Sequence, residues 1–209
     1  MSKSYWDRVH KNKYSQADWS QKPSIFATQA VEYFPKSGTL LEIGTGQGGD
    51  ADFFQLQGYK VTATDYSENA VLSASQRVKN VDFQIVDTAQ GLPFSDNSFD
   101  IVYSHLALHY FDAETTKKIF ADIHRILKPE GIFATLTNTI EDPEIAEYKY
   151  EKIADGFYRD PKGIEKRYFS VETITAFTNG LFQPLLVDNE GVTYKDEIVT
   201  LIRFIGRKV

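Results

Sequence analysis

A chain of 209 residues with 42% hydrophobic and 25% charged side chains has the composition of one globular domain, which excludes the fibrous and disordered classes. It contains no cysteine, so disulfides, thiolate zinc sites and a cysteine nucleophile are excluded. The net charge of −6 argues against a nucleic-acid partner held through its phosphates, and no apolar run is typical of a signal peptide or a membrane helix, so we expect a cytoplasmic protein without a membrane partner.

The first part of the chain predicts a helical arm over residues 5–34, interrupted near Pro23. After it, short apolar runs rich in β-branched residues alternate with helical patterns, which is typical of βαβ units and a parallel sheet. The predicted strands are residues 39–43, 60–64, 81–86, 99–104 and 131–137. The predicted helices are residues 49–57, 67–77 and 113–127.

The last third of the chain begins with a polar, tyrosine-rich segment without strong periodicity, which we interpret as an insertion over residues 138–170. A short helix near 171–179 follows, then strands near 185–188 and 197–204. A turn containing Asn189, Glu190 and Gly191 predicts that these two strands pair as an antiparallel hairpin. We expect a single domain over residues 1–209. The arm (1–37) and the insertion (138–170) are rich in aromatic residues, so we expect them to form a lid over the active site; the alternative is that they cover apolar rims of the sheet without moving.

A glycine-rich stretch lies where the first strand gives way to a helix. Gly44, Gly46 and Gly49 satisfy the dinucleotide fingerprint GxGxxG, which is a weak signal when it stands alone. Glu42 lies two residues before the first glycine, and a pyrophosphate would be repelled by this carboxylate. The stretch therefore favours a cationic ligand over an NAD(P)-dependent reductase, which is the rival enzyme class.

Two further acids end the next two strands. Asp65 follows Gly44 by 21 residues, the spacing at which an acid accepts both ribose hydroxyls of a nucleoside. Asp87 ends the third strand and either accepts an adenine amine or forms a turn. Because the carboxyl ends of parallel strands meet at one sheet edge, we expect these acids to share one ligand site.

Four sequence blocks occur in the order and at the spacing of one family. Glu42, Gly44, Gly46 and Gly48 match the pattern E/D-x-G-x-G-x-G, and the later blocks are Asp87 with residues 91–94, then 98–102, then 126–131. On these residues the sequence resembles the class I S-adenosylmethionine-dependent methyltransferases, in particular their small-molecule branch. The resemblance implies an α/β fold: a Rossmann-like, doubly wound sheet of seven strands in the order 3-2-1-4-5-7-6, with strand 7 antiparallel and helices on both faces.

The resemblance also implies S-adenosylmethionine as the cofactor and in-line displacement at its sulfonium methyl as the reaction. It assigns the ribose to Asp65, the adenine to Asp87 with Thr88, and the methionine part to the glycine loop with Thr45. Tyr66 and Ser104 complete the expected cofactor contacts. Asn138 lacks the aspartate of the metal-dependent catechol-type site, so we expect no metal.

The acceptor side is predicted from the residues that follow the fourth strand. His105 and His109 are four residues apart, would share a helix face, and either can act as a general base or simply pack. The expected substrate contacts are aromatic residues, namely Tyr5, Trp6, Tyr14, Trp19, Tyr110 and Tyr158.

Two alternatives to a small-molecule methyltransferase stay open. One is a module that binds S-adenosylmethionine without catalysis. The other is a protein or RNA methyltransferase, which a basic rim on the lid would favour. Lys162, Lys166 and Arg167 form the cluster of this kind, and such a run is usually solvated. We expect a monomer or a homodimer.

Overall fold

A seven-stranded sheet forms the centre of the protein in a computed structural model that describes residues 3–14, 21–193 and 200–209. Its strand order is β3-β2-β1-β4-β5-β10-β9, and a smaller sheet has the order β6-β7-β8. The strands are β1 (Thr39–Ile43), β2 (Lys60–Asp65), β3 (Asp82–Ile85), β4 (Phe99–His105), β5 (Leu127–Asn138), β6 (Glu151–Ala154), β7 (Phe157–Arg159), β8 (Glu165–Arg167), β9 (Phe182–Gly191) and β10 (Leu201–Lys208).

The pairing pattern confirms the predicted fold class. Strands β3, β2, β1, β4 and β5 pair in parallel, whereas β10 is antiparallel to both β5 and β9. In order of occurrence within the large sheet this is 3-2-1-4-5-7-6 with an antiparallel strand 7.

The helices cover both faces of this sheet. They are α1 (Lys3–Asn12), α2 (Ile25–Ala30), α3 (Gly49–Leu56), α4 (Glu68–Arg77), α5 (Ala113–Ile126), α6 (Glu144–Glu147) and α7 (Val171–Thr178). Phe120 and Ile123 of α5 belong to one buried apolar cluster, and Phe26 of α2 and Phe54 of α3 belong to another. Within the described ranges, no helix is long and apolar enough to span a lipid bilayer.

The predicted turn between the last two strands is wrong. Asn189, Glu190 and Gly191 lie inside β9, and β10 begins only at Leu201 and continues past the predicted end to Lys208. A Cβ on Gly191 would lie 2.6 Å from a methyl carbon of Leu136, so this glycine permits close packing within the sheet. Residues 197–199 of the predicted strand lie outside the described residues.

The insertion is an ordered structure containing α6 and the small antiparallel sheet. Its two ends meet, because Phe169 donates its backbone N–H to the carbonyl of Asn138 over 2.9 Å. Strand β6 is exposed along its whole length, so its sequence has no alternation of apolar and polar residues that would have predicted a strand.

Within the basic run of the insertion Lys162 is exposed, but Arg167 is not solvated, which corrects the interpretation above for that residue. Arg167 is only 4% exposed, and its guanidinium lies 5.4 Å from the ring centre of Phe157 and 5.3 Å from that of Phe177. Its Nε donates to the carbonyl of Phe111 over 3.3 Å, and its backbone N–H donates to that of His109 over 2.7 Å. Arg167 therefore holds the insertion against the segment that follows β4.

The arm is attached to the sheet at two places. In α1, Asp7 accepts a hydrogen bond of 2.8 Å from the Ser67 hydroxyl at the start of α4. Ahead of α2, the backbone N–H of Ser24 donates to Asp50 Oδ1, and its hydroxyl donates to Asp50 Oδ2 over 2.9 Å. Tyr103 of β4 donates to the same Asp50 Oδ2 over 2.8 Å. A buried polar network thus joins the arm, α3 and the sheet.

We expect Ser24→Ala to lower the free energy of unfolding by about 1–2 kcal/mol, because it removes both the N-cap of α2 and a donor to buried Asp50. Chemical denaturation measures the change. Thr28→Ala is the matched control, because the Thr28 hydroxyl is exposed and bonds only within its own helix. Equal effects of the two substitutions would show that the Asp50 network does not attach the arm.

Candidate active site

A cavity of about 650 Å³ opens at the carboxyl ends of the parallel strands, which is where open α/β sheets bind ligands. The glycine loop and the ends of β1, β2 and β4 form its floor. Helix α1 contributes Trp6 and His10 to the walls, and the small sheet contributes Phe157, Glu165 and Lys166. Its size lies within the range of small-molecule sites.

The glycine loop has a backbone that other residues cannot adopt. Gly44 has φ of +80°, and a Cβ there would lie 2.2 Å from the Cβ of Ala107. The N–H groups of Gly44 and Thr45 both donate to the carbonyl of Thr64, over 2.8 and 2.9 Å. The end of β2 therefore fixes the loop at the floor of the cavity.

Glu42 is buried in this floor and is 2% exposed. Burial, and then the neighbouring charge of Asp50, raise the pKa of the Glu42 carboxyl well above its usual range. The Thr45 hydroxyl opposes this shift by donating to Glu42 Oε2 over 2.7 Å. A buried acid beside further acids makes this end of the cavity complementary to a cation.

Asp65 and Asp87 lie at the same end of the cavity, as their strand positions predicted. Asp65 Oδ2 accepts from the N–H of Gly46 over 2.9 Å, and Asp65 Oδ1 accepts from that of Ser67 over 2.8 Å, so its carboxylate is held in one orientation. Asp87 accepts from Ala89 N–H over 3.1 Å as the cap of a short 3-10 turn. It is thus both a turn former and a lining residue, and Tyr66 and Thr88 line the cavity beside it.

Four predicted site residues do not line the cavity. Ser104 is fully buried and its hydroxyl donates to the carbonyl of Ile43 over 3.0 Å, so it joins two strands. Gly48 packs toward α4 and β3, since a Cβ there would lie 3.1 Å from the Cβ of Ala74. The remaining two are the substrate candidates Tyr5 and Tyr158, and Trp19 lies outside the described residues.

Of the other predicted substrate residues, Trp6, Tyr14 and Tyr110 line the cavity. Trp6 and Tyr110 pack edge to face with ring centres 4.9 Å apart, which joins the arm to the segment after β4. These aromatic residues were predicted as substrate contacts from their residue type alone, and no pattern in the sequence predicted how their rings are arranged.

His105 and His109 also line the cavity, but the predicted helix that would join them is absent. His105 is the last residue of β4, and His109 lies in a turn entered through Leu106, which has φ of +53°. Burial lowers the pKa of His105 and lowers that of His109 well below its usual range. Both imidazoles are therefore neutral at neutral pH.

Several lining residues were missed by the sequence analysis, among them His10, Gln47 and Asp50. His10 of α1 is buried, and its Nδ1 lies 3.2 Å from Nε2 of Gln47, whose Oε1 accepts from the Ser73 hydroxyl. Asp50 lines the cavity beside Glu42. The position of His10 results from the docking of α1, a tertiary contact that leaves no local pattern.

In the described part of the chain, no three His, Cys, Asp or Glu side chains come together as a metal site.

Comparisons with known proteins agree with this geometry. The family model described as a methyltransferase domain matches residues 41–135. The chain is 25% identical over 186 residues to a malonyl-[acyl-carrier protein] O-methyltransferase of Enterobacter lignolyticus, covering 88% of this chain and 70% of that protein. It is 34% identical over 115 residues to the uncharacterized methyltransferase YcgJ of Bacillus subtilis, covering 52% of this chain and only 44% of that protein.

A solved structure shares the fold at low sequence identity. It is the 1,6-didemethyltoxoflavin-N1-methyltransferase of Burkholderia thailandensis, with bound 1,6-didemethyltoxoflavin and S-adenosylhomocysteine. The TM-score is 0.76 at 17% identity, and the match covers 99% of this chain and 87% of that chain.

The raised pKa of Glu42 gives a prediction for the ligand-free protein. A carboxyl whose pKa is raised by folding contributes stability below its unfolded-state pKa and loses it as the pH rises through the folded-state pKa. We therefore expect Glu42→Gln to raise Tm at pH about 8 and to leave it unchanged at pH about 4, where the unfolded-state carboxyl also becomes protonated. Thermal unfolding across this range measures the effect, with exposed Glu32→Gln as the control. A gain that does not depend on pH would contradict the assignment.

Proposed function

We propose that this chain, which belongs to the class I S-adenosylmethionine-dependent methyltransferases, transfers the cofactor's methyl group to a small-molecule acceptor by in-line displacement. The comparisons confirm three predictions made from the sequence, namely the family, the enzyme class and the cofactor. The observation that carries the proposal is a single cavity that is lined both by a cluster of buried acids and by aromatic and imidazole side chains.

The residues at the acidic end fit the cofactor. A cationic ligand compensates buried Glu42, and the glycine loop leaves room for a ligand where a Cβ would otherwise lie. In this proposal Asp65 accepts the ribose hydroxyls, Asp87 and Thr88 contact the adenine, and Tyr66 lies beside them. Glu42, Gly44, Thr45 and Gly46 hold the methionine part. The cofactor supplies an electrophilic methyl group on a sulfonium.

A small acceptor is favoured by the way the cavity is covered. Trp6 and Tyr14 from the arm and Phe157 from the insertion narrow it above the sheet, and such a covered site suits a molecule that enters it entirely. Arg167 is buried, so it contributes nothing to a basic surface for RNA. A cytoplasmic location, and the absence of nucleic-acid and membrane partners, stay predictions from composition.

The protein contributes alignment and exclusion of water to the reaction, since an in-line displacement depends on the approach of the acceptor to the methyl carbon. His105 and His109 are the polar groups that we place beside the acceptor. Either would serve as a general base only if the acceptor arrives protonated.

We expect calorimetry to detect S-adenosylhomocysteine binding, and Asp65→Ala to weaken it by roughly tenfold or more because charge-assisted hydrogen bonds to the ribose are lost. Asp82→Ala is the matched control, because Asp82 is exposed at the start of β3 and does not line the cavity. Unchanged affinity of Asp65→Ala would contradict the ribose assignment, and tight NADH binding would overturn the whole proposal. Release of S-adenosylhomocysteine with a panel of acceptors separates an enzyme from a binding module.

We also propose that the arm and the insertion act as a lid. Each borders the cavity, and the insertion joins the sheet at a narrow base where residues 139 and 169 pair. A ligand that packs against both pieces would favour their closed position.

For the lid, we expect limited proteolysis within residues 138–170 to slow when S-adenosylhomocysteine is added, because the bound ligand favours the closed position. Asp65→Ala digested with and without the ligand is the control, since it should lose this protection. Equal digestion rates of the unsubstituted protein with and without ligand would refute a cofactor-coupled lid.

A further inference from the structure

The acceptor end of the cavity contains a cluster of nitrogen groups from two different parts of the fold. His105 and His109 come from the end of β4 and the turn after it, whereas Lys166 comes from β8 of the insertion. The backbone hydrogen bond from Arg167 to His109 fixes these two segments side by side. The Lys166 ammonium lowers the pKa of His109, and His105 does so when it is protonated, so the three groups are close enough to interact.

His109 carries an unsatisfied polar atom. Its side chain is 2% exposed, and its Nδ1 has no hydrogen-bond partner among the described residues. Buried ring nitrogens without partners are rare in folded proteins, and each is a reason to look for a missing ligand. This nitrogen belongs to a residue that lines the cavity, so a bound molecule can supply the partner.

The acids around this cluster already have partners. Glu165 Oε1 accepts from Arg159 Nη2 over 2.6 Å, and Asp112 caps α5 by accepting from the N–H of Thr115 over 2.8 Å. Asp142 interacts electrostatically with Lys166, but Asp142 does not line the cavity. Asp50 lines the cavity beside Glu42 and interacts electrostatically with His105. The cavity surface around His109 is therefore poor in acids able to take up a further positive charge.

This setting makes His109 a poor proton acceptor. A proton taken from a neutral acceptor would create a buried imidazolium beside the Lys166 ammonium, with no acid directly paired to it. A neutral imidazole that donates a hydrogen bond, together with the ammonium, is instead a binding site for an anion.

We propose that the methyl acceptor enters as a flat oxyanion, a carboxylate or an acidic phenol, whose charged oxygen lies between Lys166 and His109 and whose body packs on Trp6 and Tyr110. This inference rests on the proposed function and names the substrate class of the same site. The aromatic side chains supply an apolar surface for a conjugated ring, and the cluster supplies the charge complement.

The charges balance in the transfer to such an acceptor. A lone pair of the acceptor oxygen forms the new O–CH₃ bond while the S–CH₃ bond breaks and its electron pair stays on sulfur. The negative charge of the acceptor and the positive charge of the sulfonium cancel, giving a neutral ester or ether and a neutral thioether. No proton leaves the acceptor, so no general base is required.

The test measures binding of matched ligands by calorimetry to protein saturated with S-adenosylhomocysteine. The pairs are benzoate with benzamide, and 4-nitrophenolate with 4-nitroaniline, so that the two arms distinguish a carboxylate from a phenolate. We expect at least one anion to bind roughly tenfold or more tightly than its neutral partner, because a hydrogen bond to a charged group is lost in the neutral compound. Equal binding of anion and neutral partner in both pairs, or no binding of either, overturns the proposal.

Substitutions locate the site of this preference. Lys166→Met should abolish it, whereas Lys162→Met should retain it, because Lys162 lies on the same insertion but is exposed and outside the cavity lining. His109→Asn keeps a donor near the position of Nδ1 and should retain most of the preference, and His109→Phe should lose it. A preference that survives both Lys166→Met and His109→Phe contradicts the site.

Two controls separate the possible failures. Circular dichroism and S-adenosylhomocysteine affinity show whether each variant is folded. If S-adenosylhomocysteine does not bind the unsubstituted protein, the proposed function fails, and this inference falls with it. If S-adenosylhomocysteine binds but the anions have no advantage, only the acceptor class is wrong.

Discussion

Burying several acids at one edge of a sheet is the constraint on which the rest of the structure depends. The charges of Asp50 and Asp65 both raise the pKa of Glu42 in a region from which water is largely excluded, so fixed donors must offset the cost of burying these acids together. The fold supplies these donors from the backbone and from hydroxyl groups. Gly46 and Ser67 donate to Asp65, and Ser24 and Tyr103 donate to Asp50. Glu42 receives hydrogen bonds from the Thr45 hydroxyl and from the backbone of Ala51, yet burial and the charge of Asp50 still raise its pKa well above its usual range.

Much of this site could be predicted because its residues lie where local sequence rules are strong. The bounds of β1 agree with the prediction, and Ser67 and Asp112 begin their helices by accepting from backbone N–H groups, as such residues usually do. The acids at the ends of β1, β2 and β3 followed from the rule that parallel strands present their carboxyl ends together. Spacing along the chain was sufficient for these residues, because the sheet itself brings them into register.

Prediction failed where a residue's role is set by distant parts of the chain. Gly191 has the type of a turn residue, but it is needed where the end of β9 lies close to the Leu136 side chain of β5 and the Leu201 carbonyl of β10. His105 and His109 have helical spacing, but the chain turns after β4 because Leu106 adopts a left-handed backbone. Arg167 belongs to a basic run of the kind that is usually solvated, but its backbone and side chain form hydrogen bonds with the segment after β4. None of these contacts leaves a periodic signal in the sequence.

The hydrogen bond between Arg167 and His109 limits which segments can be exchanged between related domains. The insertion contacts the segment from Leu106 to Phe111 through two hydrogen bonds of Arg167, one from its backbone N–H and one from its guanidinium, and both end on backbone carbonyl groups. Neither segment can therefore change its backbone path unless the other changes with it. Grafting the insertion of a relative onto this sheet would remove Arg167 and leave the carbonyl groups of His109 and Phe111 without the donors that fit their positions. The two segments therefore form one transplantable unit, and a recombined enzyme should keep its fold only when both come from the same parent.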